Sequence, residues 1–464
     1  MNKLYGIRLI IFSLFILIFF SCKRFVEIAP PKTQLVSASL FTNDISATAA
    51  ISGIYSQMME SLGGFANGNI TLFTGLSSDE LVNYSTDNDQ IQFYQNSLTS
   101  STGSTSLLWT QAYQFLNYVN SLLEGLSNTQ GVSVPLKQQL IGEAKFIRAF
   151  CHFYLVNLFG NIPLVTSSDY RINSIASRTP KSQIYQQIVK DLTDAQNLMV
   201  SDYSFSNGER VRPNKWAATA LLARVYLYEE DWVDAEALAT AVINNISNYS
   251  LVSNLDSVFL ANNVEAIWQL KPVVPGINTF EASMFILTTT PPDSRALSQN
   301  LLNAFEKGDN RKKAWIDSTT DAVNSYYYPF KYKVYVNPTV SEYYMVLRLA
   351  EQFLIRAEAR SHQNKLSDAI SDLNTIRTRA GLPDLSSSLS QAQVFSAVAQ
   401  ERRVELFAEW GHRWLDLKRT NTADAVMSTV TPQKGGTWST DWQLYPIPQS
   451  EILNDPNLIQ NTGY

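Results

Sequence analysis

The sequence predicts a mainly α-helical protein, in which a tetratricopeptide-like scaffold of helix pairs (an αα superhelix) carries a large, loop-rich, partly β insertion. Three observations predict this fold class. Apolar residues recur at helical spacing through most of the chain. A helix–turn–helix unit of roughly 34 residues occurs twice, which is the period of tetratricopeptide repeats. Long stretches rich in Gly, Asn, Ser and Pro interrupt the helices, and they account for the insertion.

The first 21 residues are typical of a secretory signal. Lys3 and Arg8 precede the apolar run Leu9–Phe20, which is broken only by Ser13. Twelve helical residues span about 18 Å, too little for a hydrocarbon core of about 30 Å. The run therefore predicts a cleaved signal peptide (1–21) rather than a permanent membrane anchor.

Cys22 directly follows the apolar run and a small residue, Ser21, as in the lipobox of bacterial lipoproteins, although Phe19 departs from the usual aliphatic residue. We expect Cys22 to be lipidated and to anchor the protein through its acyl chains. Residues 22–38, with Pro30 and Pro31, are predicted to form an extended tether. Cys151 then remains the only free thiol, so no disulfide within the mature chain is expected.

The rest of the chain, 39–464, is predicted to form one domain, whose helical scaffold comprises 39–62, 104–247 and 343–420. Its expected helices include Ser39–Met59, one marked by Trp109 to Leu123, and one marked by Leu140 to Leu158 that Gly160 ends. Thr179 is predicted to cap the next helix, with Pro180 in its first turn.

Two later segments have the same helix–turn–helix pattern. The first joins Pro213–Tyr228 to Trp232–Asn244, and the second joins Val346–His362 to Ser367–Ala380. Each turn is followed by an Asp-Ala pair, and the small residues allow two helices to approach closely. The period matches a tetratricopeptide repeat, and a plain αα-hairpin is the alternative.

The loop-rich parts of the domain are 63–103, 248–342 and 421–464. The second contains three strand-like runs, Ala266–Leu270, Phe285–Thr289 and Tyr326–Val336. Long irregular stretches within a compact domain are usually functional loops. We therefore expect the ligand site in these parts of the chain.

The composition excludes some classes of partner. The chain of 464 residues has 36 Lys and Arg against 41 Asp and Glu, a formal net charge of −5, and no long basic run. Binding of nucleic acid is therefore not expected, because it needs clustered Lys and Arg residues, which the sequence lacks. Charged residues make up 17% and aromatic residues 12%, which favours recognition of uncharged polar ligands.

Motifs of phosphate-binding loops, zinc proteases, Cys pairs and nucleophile elbows are absent from the sequence. The segment Ala399–Trp414 is predicted as one helix that aligns Glu401, Glu405 and Glu409, and a carboxylate pair of this kind could serve a glycosidase. Arginines share that helix, however, and Glu409 precedes Arg413 by four residues. Ion pairing lowers a carboxyl pKa, so these glutamates are predicted to be structural.

No metal site or cofactor is expected from the sequence. The three histidines, His152, His362 and His412, are not at ligand spacing. Asp87-Asn88-Asp89 lacks the glycine and the distal glutamate of an EF-hand, so a turn is the better interpretation. A looser structural calcium site is the alternative, with candidate ligands Asp79, Glu80, Asp87 and Asp89.

Candidate ligand-binding residues are taken from the loop-rich parts. Aromatic rings there could stack on the apolar face of a sugar, while Asn and Asp side chains take its hydroxyl groups; packing between segments is the alternative role. The candidates are Asn67, Asp79, Tyr84, Trp315, Tyr326 and Tyr328.

Several blocks, taken together and in this order, resemble the SusD/RagB family of outer-membrane nutrient-binding lipoproteins over the whole mature chain. They are Phe25–Pro31, Ala144–Phe150, Leu158–Val165, Lys215–Leu227, Arg348–Ala359, Asn374–Gly381, Glu401–Leu406, Gly411–Arg419 and Leu444–Pro448.

The resemblance implies a tetratricopeptide-like scaffold with a loop-rich ligand-binding face and no catalysis. It further implies a protein anchored in the outer membrane through Cys22, facing the cell exterior, although Lys23 and Arg24 stand where exported relatives often have acidic residues. The partner would be a SusC-like TonB-dependent transporter, which the protein closes as a lid after binding a glycan. Alternatives are a peptide or other nutrient as the ligand, a pure assembly scaffold, and a glycosidase.

Overall fold

A computed structural model describes residues 40–464, most of which are helical. The predicted signal peptide (1–21), Cys22 and the tether (22–38) lie outside the described residues. The helices are α1 (Asp44–Glu60), α2 (Asn69–Ser77), α3 (Asn88–Gln95), α4 (Gly103–Asn128), α5 (Val134–Phe159), α6 (Tyr170–Asn173), α7 (Lys181–Leu198), α8 (Lys215–Tyr228), α9 (Trp232–Ile243), α10 (Phe280–Phe285), α11 (Gln299–Leu302), α12 (Asn310–Trp315), α13 (Leu349–His362), α14 (Leu366–Arg379), α15 (Gln391–Glu405), α16 (His412–Arg419), α17 (Ala423–Gln433) and α18 (Gln449–Asn454).

Six short strands form three antiparallel two-stranded sheets, in which β1 pairs with β3, β2 with β6, and β4 with β5. The strands are β1 (Leu81–Asn83), β2 (Ala266–Leu270), β3 (Arg295–Leu297), β4 (Ile316–Thr320), β5 (Ser325–Pro329) and β6 (Tyr344–Arg348). No helix among residues 40–464 is long and apolar enough to cross a membrane.

The scaffold is a continuous stack of helices. Along the stack, α4 packs on α5, α5 on α7, α7 on α8, α8 on α9, α9 on α13, and α13 on both α14 and α15. The two predicted repeat units are the pairs α8/α9 and α13/α14, which meet where α9 contacts α13. Buried alanines, such as Ala235 and Ala357, allow the close approach. The predicted tetratricopeptide-like scaffold is confirmed.

Local signals explain where most of these helices begin and end. The side chain of Asn214 caps α8 by accepting hydrogen bonds from the backbone N–H groups of Trp216 and Ala217, and Asp231 caps α9. Helix α5 ends at Gly160, whose φ of +77° favours glycine. The predicted cap at Thr179 is wrong, because Pro180 occupies the N-cap position of α7 and no side chain caps it.

Two predicted helix boundaries in the C-terminal half are also wrong. The second repeat begins at Leu349 rather than Val346, because Tyr344–Arg348 pairs with β2 as a strand. The expected single helix Ala399–Trp414 is divided into α15 and α16. In the connection, Ala408, Trp410 and Gly411 all have positive φ, which no α-helix accommodates.

Within the insertion, only part of the expected strand pattern is correct. Ala266–Leu270 is a strand, as predicted, and both β2 and its partner β6 are fully buried. The run Phe285–Thr289 is not a strand, since Phe285 closes helix α10. The strand expected at Tyr326–Val336 is confined to Ser325–Pro329.

An aromatic cluster joins the insertion to the scaffold. Phe150 of α5 contacts Trp268 of β2 edge-on at 5.5 Å between ring centroids, and Trp410 at 5.3 Å. Tyr344 of β6 lies 4.9 Å from the same Trp410 ring. All four rings are buried, so the sheet β2/β6 is fixed firmly against the helices.

Candidate functional site

A buried network of ion pairs occupies the place where the sequence suggested a carboxylate pair. Glu405 accepts hydrogen bonds from Arg311 (2.9 Å) and Arg348 (2.5 Å), and also pairs with Arg379. Glu409 pairs with Arg348 at 2.8 Å and not with Arg413, contrary to the expected i, i+4 pair. The glutamates are held by residues from distant parts of the chain.

The electrostatics of this network do not suit a general acid. Burial disfavours the Glu405 carboxylate, but the charges of Arg379, Arg348 and Arg311 outweigh burial and hold its pKa well below the ordinary range. The pKa of Glu409 is lowered for the same kind of reason. These carboxylates are permanently charged near neutral pH, so they serve as the anionic half of a structural network.

The described part of the chain has no cluster of side chains suited to binding a metal ion. Among residues 40–464, no group of three His, Cys, Asp or Glu side chains is positioned to hold a metal ion. Three of the four carboxylates considered for calcium have other partners: Asp79 pairs with Arg403 and Arg413, Asp87 caps α3, and Asp89 accepts hydrogen bonds from Ser104. The Asp87–Asp89 segment is the start of a helix, which explains its local sequence.

The structure buries four of the six candidate ligand residues, which are Asn67, Asp79, Trp315 and Tyr328. Asn67 is 1% exposed, and its amide donates to the carbonyl oxygen of Met59. Asp79 is 3% exposed and forms ion pairs with two arginines, Arg403 and Arg413. These side chains are committed to internal contacts.

Trp315 is the third of these, and none of its surface is exposed. Its indole N–H donates to the carbonyl oxygen of Leu255 at 2.9 Å, and Phe259 contacts the ring edge-on. Lys331 lies 4.9 Å from the ring centroid. The residue ends α12 and packs the insertion together, so it offers no face to a ligand.

Tyr84 and Tyr326 are brought together at the surface, although 242 positions separate them in the sequence. Their rings meet edge to face, with centroids 5.7 Å apart, and Tyr84 is 41% exposed. Tyr84 directly follows β1, and its backbone N–H donates to the carbonyl oxygen of Ser294 beside β3. We call these two residues the tyrosine pair.

The β4–β5 hairpin holds Tyr326 in position. Its turn is closed by Asp321, whose carboxylate accepts hydrogen bonds from the backbone N–H groups of Val323 and Asn324, both at 2.7 Å. The Tyr326 hydroxyl donates to the same carboxylate at 3.0 Å. The ring is therefore held in one orientation, which reduces the conformational entropy that any contact with it would cost.

Tyr328 lies two positions further along the same strand, but it is 7% exposed. Its hydroxyl donates to Asp317 at 3.2 Å, and its ring contacts Phe330 edge-on. This residue supports the hairpin more than it presents a surface. Of the six candidates, Tyr84 and Tyr326 are the accessible ones, and their role in binding stays a prediction.

Two polar residues that carried no prediction, Asn83 and the buried Arg295, pair in the sheet next to Tyr84. Asn83 precedes Tyr84 and lies opposite Arg295 in the β1–β3 sheet. Arg295 donates to Gln90 at 3.1 Å, and burial lowers its pKa to about 10. Asn83 could have been found from its place beside Tyr84. Arg295 carried no local signal, because a pairing across more than 200 residues brings it here.

Two sequence-family models match complementary parts of the chain. The one described as "SusD family" matches residues 295–464, and the one described as "Starch-binding associating with outer membrane" matches residues 25–227. Together they cover both ends of the scaffold and the strand that carries Arg295. The chain belongs to the SusD/RagB family.

Similar proteins agree with this assignment over nearly the full length. A SusD-like protein P2 of Formosa agariphila is 27% identical, and the alignment covers 94% of this chain and 95% of the relative. A SusD superfamily protein from Bacteroides vulgatus has the same fold, with a TM-score of 0.80, 21% identity, and 92% and 100% of the two chains covered. A laminarin-binding SusD-like protein has a TM-score of 0.75 at 25% identity, with 91% and 100% covered.

Several of the sequence blocks that resemble the SusD/RagB family contribute buried ion pairs that join the helices. Arg224 and Glu351 come from two of the blocks and form a buried bidentate pair with both distances at 2.6 Å. Arg348 belongs to the same block as Glu351, and its partner Glu405 comes from a third block. These family blocks therefore supply interactions that hold the helices together, whereas Tyr84 and Tyr326 lie outside them.

Proposed function

We propose that this protein binds a glycan at the tyrosine pair and delivers it, uncleaved, to a TonB-dependent outer-membrane transporter. The observation that carries the proposal is the exposed edge-to-face arrangement of Tyr84 and Tyr326, held by the Asp321 turn. Two rings at an angle offer two apolar faces to a sugar, whose C–H surfaces cover an aromatic face well. Asn83 precedes Tyr84, is only partly buried, and is the polar neighbour that we expect to take sugar hydroxyls.

Similar proteins support the choice of ligand class. One family model is described as starch-binding, and one structural neighbour is described as laminarin-binding. The outer-membrane location in the first description agrees with lipid attachment at Cys22, at the end of the apolar N-terminal run. Replacing Cys22 with serine is expected to move the protein from the membrane fraction to the soluble fraction.

A non-catalytic role is supported by the state of the buried carboxylates. Glu405 and Glu409 are enclosed by guanidinium and ammonium groups, and neither has an open side toward solvent. Delivery to a transporter is the role that the resemblance to the SusD/RagB family implies for a glycan-binding protein on this scaffold. Capture of a peptide on the same surface is the second candidate, because an exposed tyrosine pair also packs on peptide side chains.

The test is titration of the mature protein, lacking Cys22, with laminarin and starch oligosaccharides. Tyr84→Ala and Tyr326→Ala each remove a ring that buries about 60 Å² on a sugar, so affinity should fall by about 1.5 kcal/mol, or roughly tenfold. Tyr335→Ala is the matched control, since Tyr335 is 42% exposed and lies outside the pair. Its affinity should match that of the unchanged protein.

Three results would contradict the proposal. Equal affinity of Tyr84→Ala and the unchanged protein would remove the tyrosine pair as the site. Binding of peptides but of no glycan would favour the second candidate. Shortened oligosaccharides after incubation with the protein would show catalysis and refute simple delivery.

A further inference from the structure

A second polar cavity lies on the helical scaffold and shares no residue with the tyrosine pair. It has a volume of about 600 Å³ and opens between the end of α5, the start of α7, the end of α16 and the C-terminal segment. Cavities of 300–1,000 Å³ are the usual size of small-molecule sites. We call it the basic pocket, defined by Asn157, Arg178, Lys181, Lys418, Arg419 and Asp441.

The positive charges of the basic pocket are poorly compensated. Within residues 40–464, no carboxylate forms an ion pair with Arg178, Lys181 or Lys418; Arg419 is occupied by Glu358. The one carboxylate that lines the pocket is Asp441. Glu229 and Glu230 act on Lys181 only from a distance, so three cations without a direct ion pair surround one cavity and attract an anion.

Lys418 has unused hydrogen-bonding capacity in this pocket. Its ammonium group donates to the carbonyl oxygen of Asn157 in the last turn of α5 and lies 5.9 Å from the Trp414 ring centroid. An ammonium group has three N–H donors, so two remain without a protein acceptor. Burial, and then the like charge of Lys181, lower its pKa to about 7. A bound oxyanion would supply both the missing acceptors and the missing counter-charge.

Other groups around Lys418 favour the same kind of ligand. Lys181 is the first residue of α7, where the helix dipole adds partial positive charge, and its side chain is exposed. Arg178 is fixed by hydrogen bonds to the carbonyl oxygens of Asn161, Ile459 and Gln460 and to the side-chain oxygen of Asn461, which leaves one of its five N–H donors for a ligand. The hydroxyls of Thr440 and Thr462 also line the pocket and can bind sugar hydroxyls.

We propose that the basic pocket is a second ligand site, which takes a saccharide bearing a sulfate or carboxylate group, with Lys418 and Lys181 on the oxyanion. That the anion belongs to a saccharide rests on the proposed glycan-binding function. Binding of an anion by the positive charges of the pocket does not require that the tyrosine pair binds a glycan.

The test is calorimetric titration of the mature protein with three probes: tri-galacturonate, a sulfated carrageenan tetrasaccharide, and the same tetrasaccharide after desulfation. The carboxylate and sulfate arms distinguish the two sources of the oxyanion. Lys418→Met and Lys181→Gln should each weaken binding of the anionic probe by about tenfold or more, because each removes a charge-assisted hydrogen bond.

Lys137→Met is the matched control. Like Lys418, Lys137 is partly buried and donates to a single backbone carbonyl, that of Thr129, but it lies at the other end of α5 and does not line the basic pocket. Its loss should leave binding of the anionic probe unchanged. If Lys418→Met does not fold, Lys181→Gln tests the proposal, because Lys181 is exposed and its replacement should leave folding intact.

Unchanged affinity in both Lys418→Met and Lys181→Gln would overturn the proposal, and Lys418 would then be a cap for α5. Failure of both anionic probes to bind would also overturn it. Neutral glycans that still bind and depend on Tyr84 would leave the proposed function intact in either case. Conversely, anionic binding that depends on Lys418, with no effect of Tyr84→Ala on any glycan, would support the pocket and refute the tyrosine pair.

Discussion

Replacing Glu405 with glutamine removes one negative charge from the buried network at almost constant volume. Breaking a buried ion pair costs about 3–5 kcal/mol, because a charge is left without its partner. The lower value applies here, since each arginine keeps another carboxylate: Arg311 keeps Glu401, Arg348 keeps Glu409, and Arg379 keeps Glu265. We therefore expect a loss of about 3 kcal/mol of unfolding free energy.

The assay is differential scanning calorimetry of the mature protein. For a domain that spans residues 40–464, an unfolding entropy of about 2.1 cal/mol/K per residue gives roughly 0.9 kcal/mol/K, so Tm should fall by about 3 °C. Because the pKa of Glu405 is depressed, its stabilisation is present above about pH 4.5 and is lost on further acidification. The difference from Glu405→Gln should therefore shrink in acid.

Glu60→Gln is the control, because Glu60 is exposed and forms no ion pair; it should change stability by at most about 0.5 kcal/mol. An unchanged Tm for Glu405→Gln would refute the structural role assigned to the network. Loss of glycan turnover in Glu405→Gln with an unchanged Tm would instead identify Glu405 as a catalytic group.

Two further predictions concern buried residues. Burial raises the pKa of Glu281 from 4.5 to about 8, so the folded protein binds more protons than the unfolded chain, and stability is lost as pH rises through that window. Between pH 5 and 8, Glu281→Gln should therefore gain stability relative to the unchanged protein, by up to about 1.4 kcal/mol per pH unit. Urea titrations at several pH values measure this gain. A difference in unfolding free energy that stays constant with pH would contradict the raised pKa. Trp315→Ala should lose about 3–5 kcal/mol in the same titrations while keeping its glycan affinity, and a weaker affinity in folded protein would show that Trp315 contacts ligand.

The scaffold could be predicted from the sequence because its signals are local. Helices α4, α5, α8 and α9 follow from apolar spacing, and Gly160 marks an end that the structure confirms. The break between Glu405 and His412 had no such signal. There the chain leaves the helix so that Trp410 can enter the aromatic core, and this tertiary gain outweighs helix propensity.

The candidate site was harder to predict, because burial decides which residues of a loop are accessible. Trp315 and Tyr326 both lie in the loop-rich part of the sequence, yet one ends a buried helix and the other lies on an exposed hairpin. The distinction depends on strand pairing between residues far apart in the chain. For the same reason the identity of Arg295 as a neighbour of Tyr84 could not be read from spacing.

The distribution of charge links the scaffold to its two candidate sites. Charged residues make up only 17% of the chain, and several of them, including Arg224, Arg311 and Arg348, are buried in ion pairs. The surface is thus poorer in charge than the composition suggests, which suits stacking of neutral sugars on Tyr84 and Tyr326. On such a surface, cations without carboxylate partners are conspicuous. Lys181 and Lys418 therefore mark a place where a ligand, rather than the protein, supplies the negative charge.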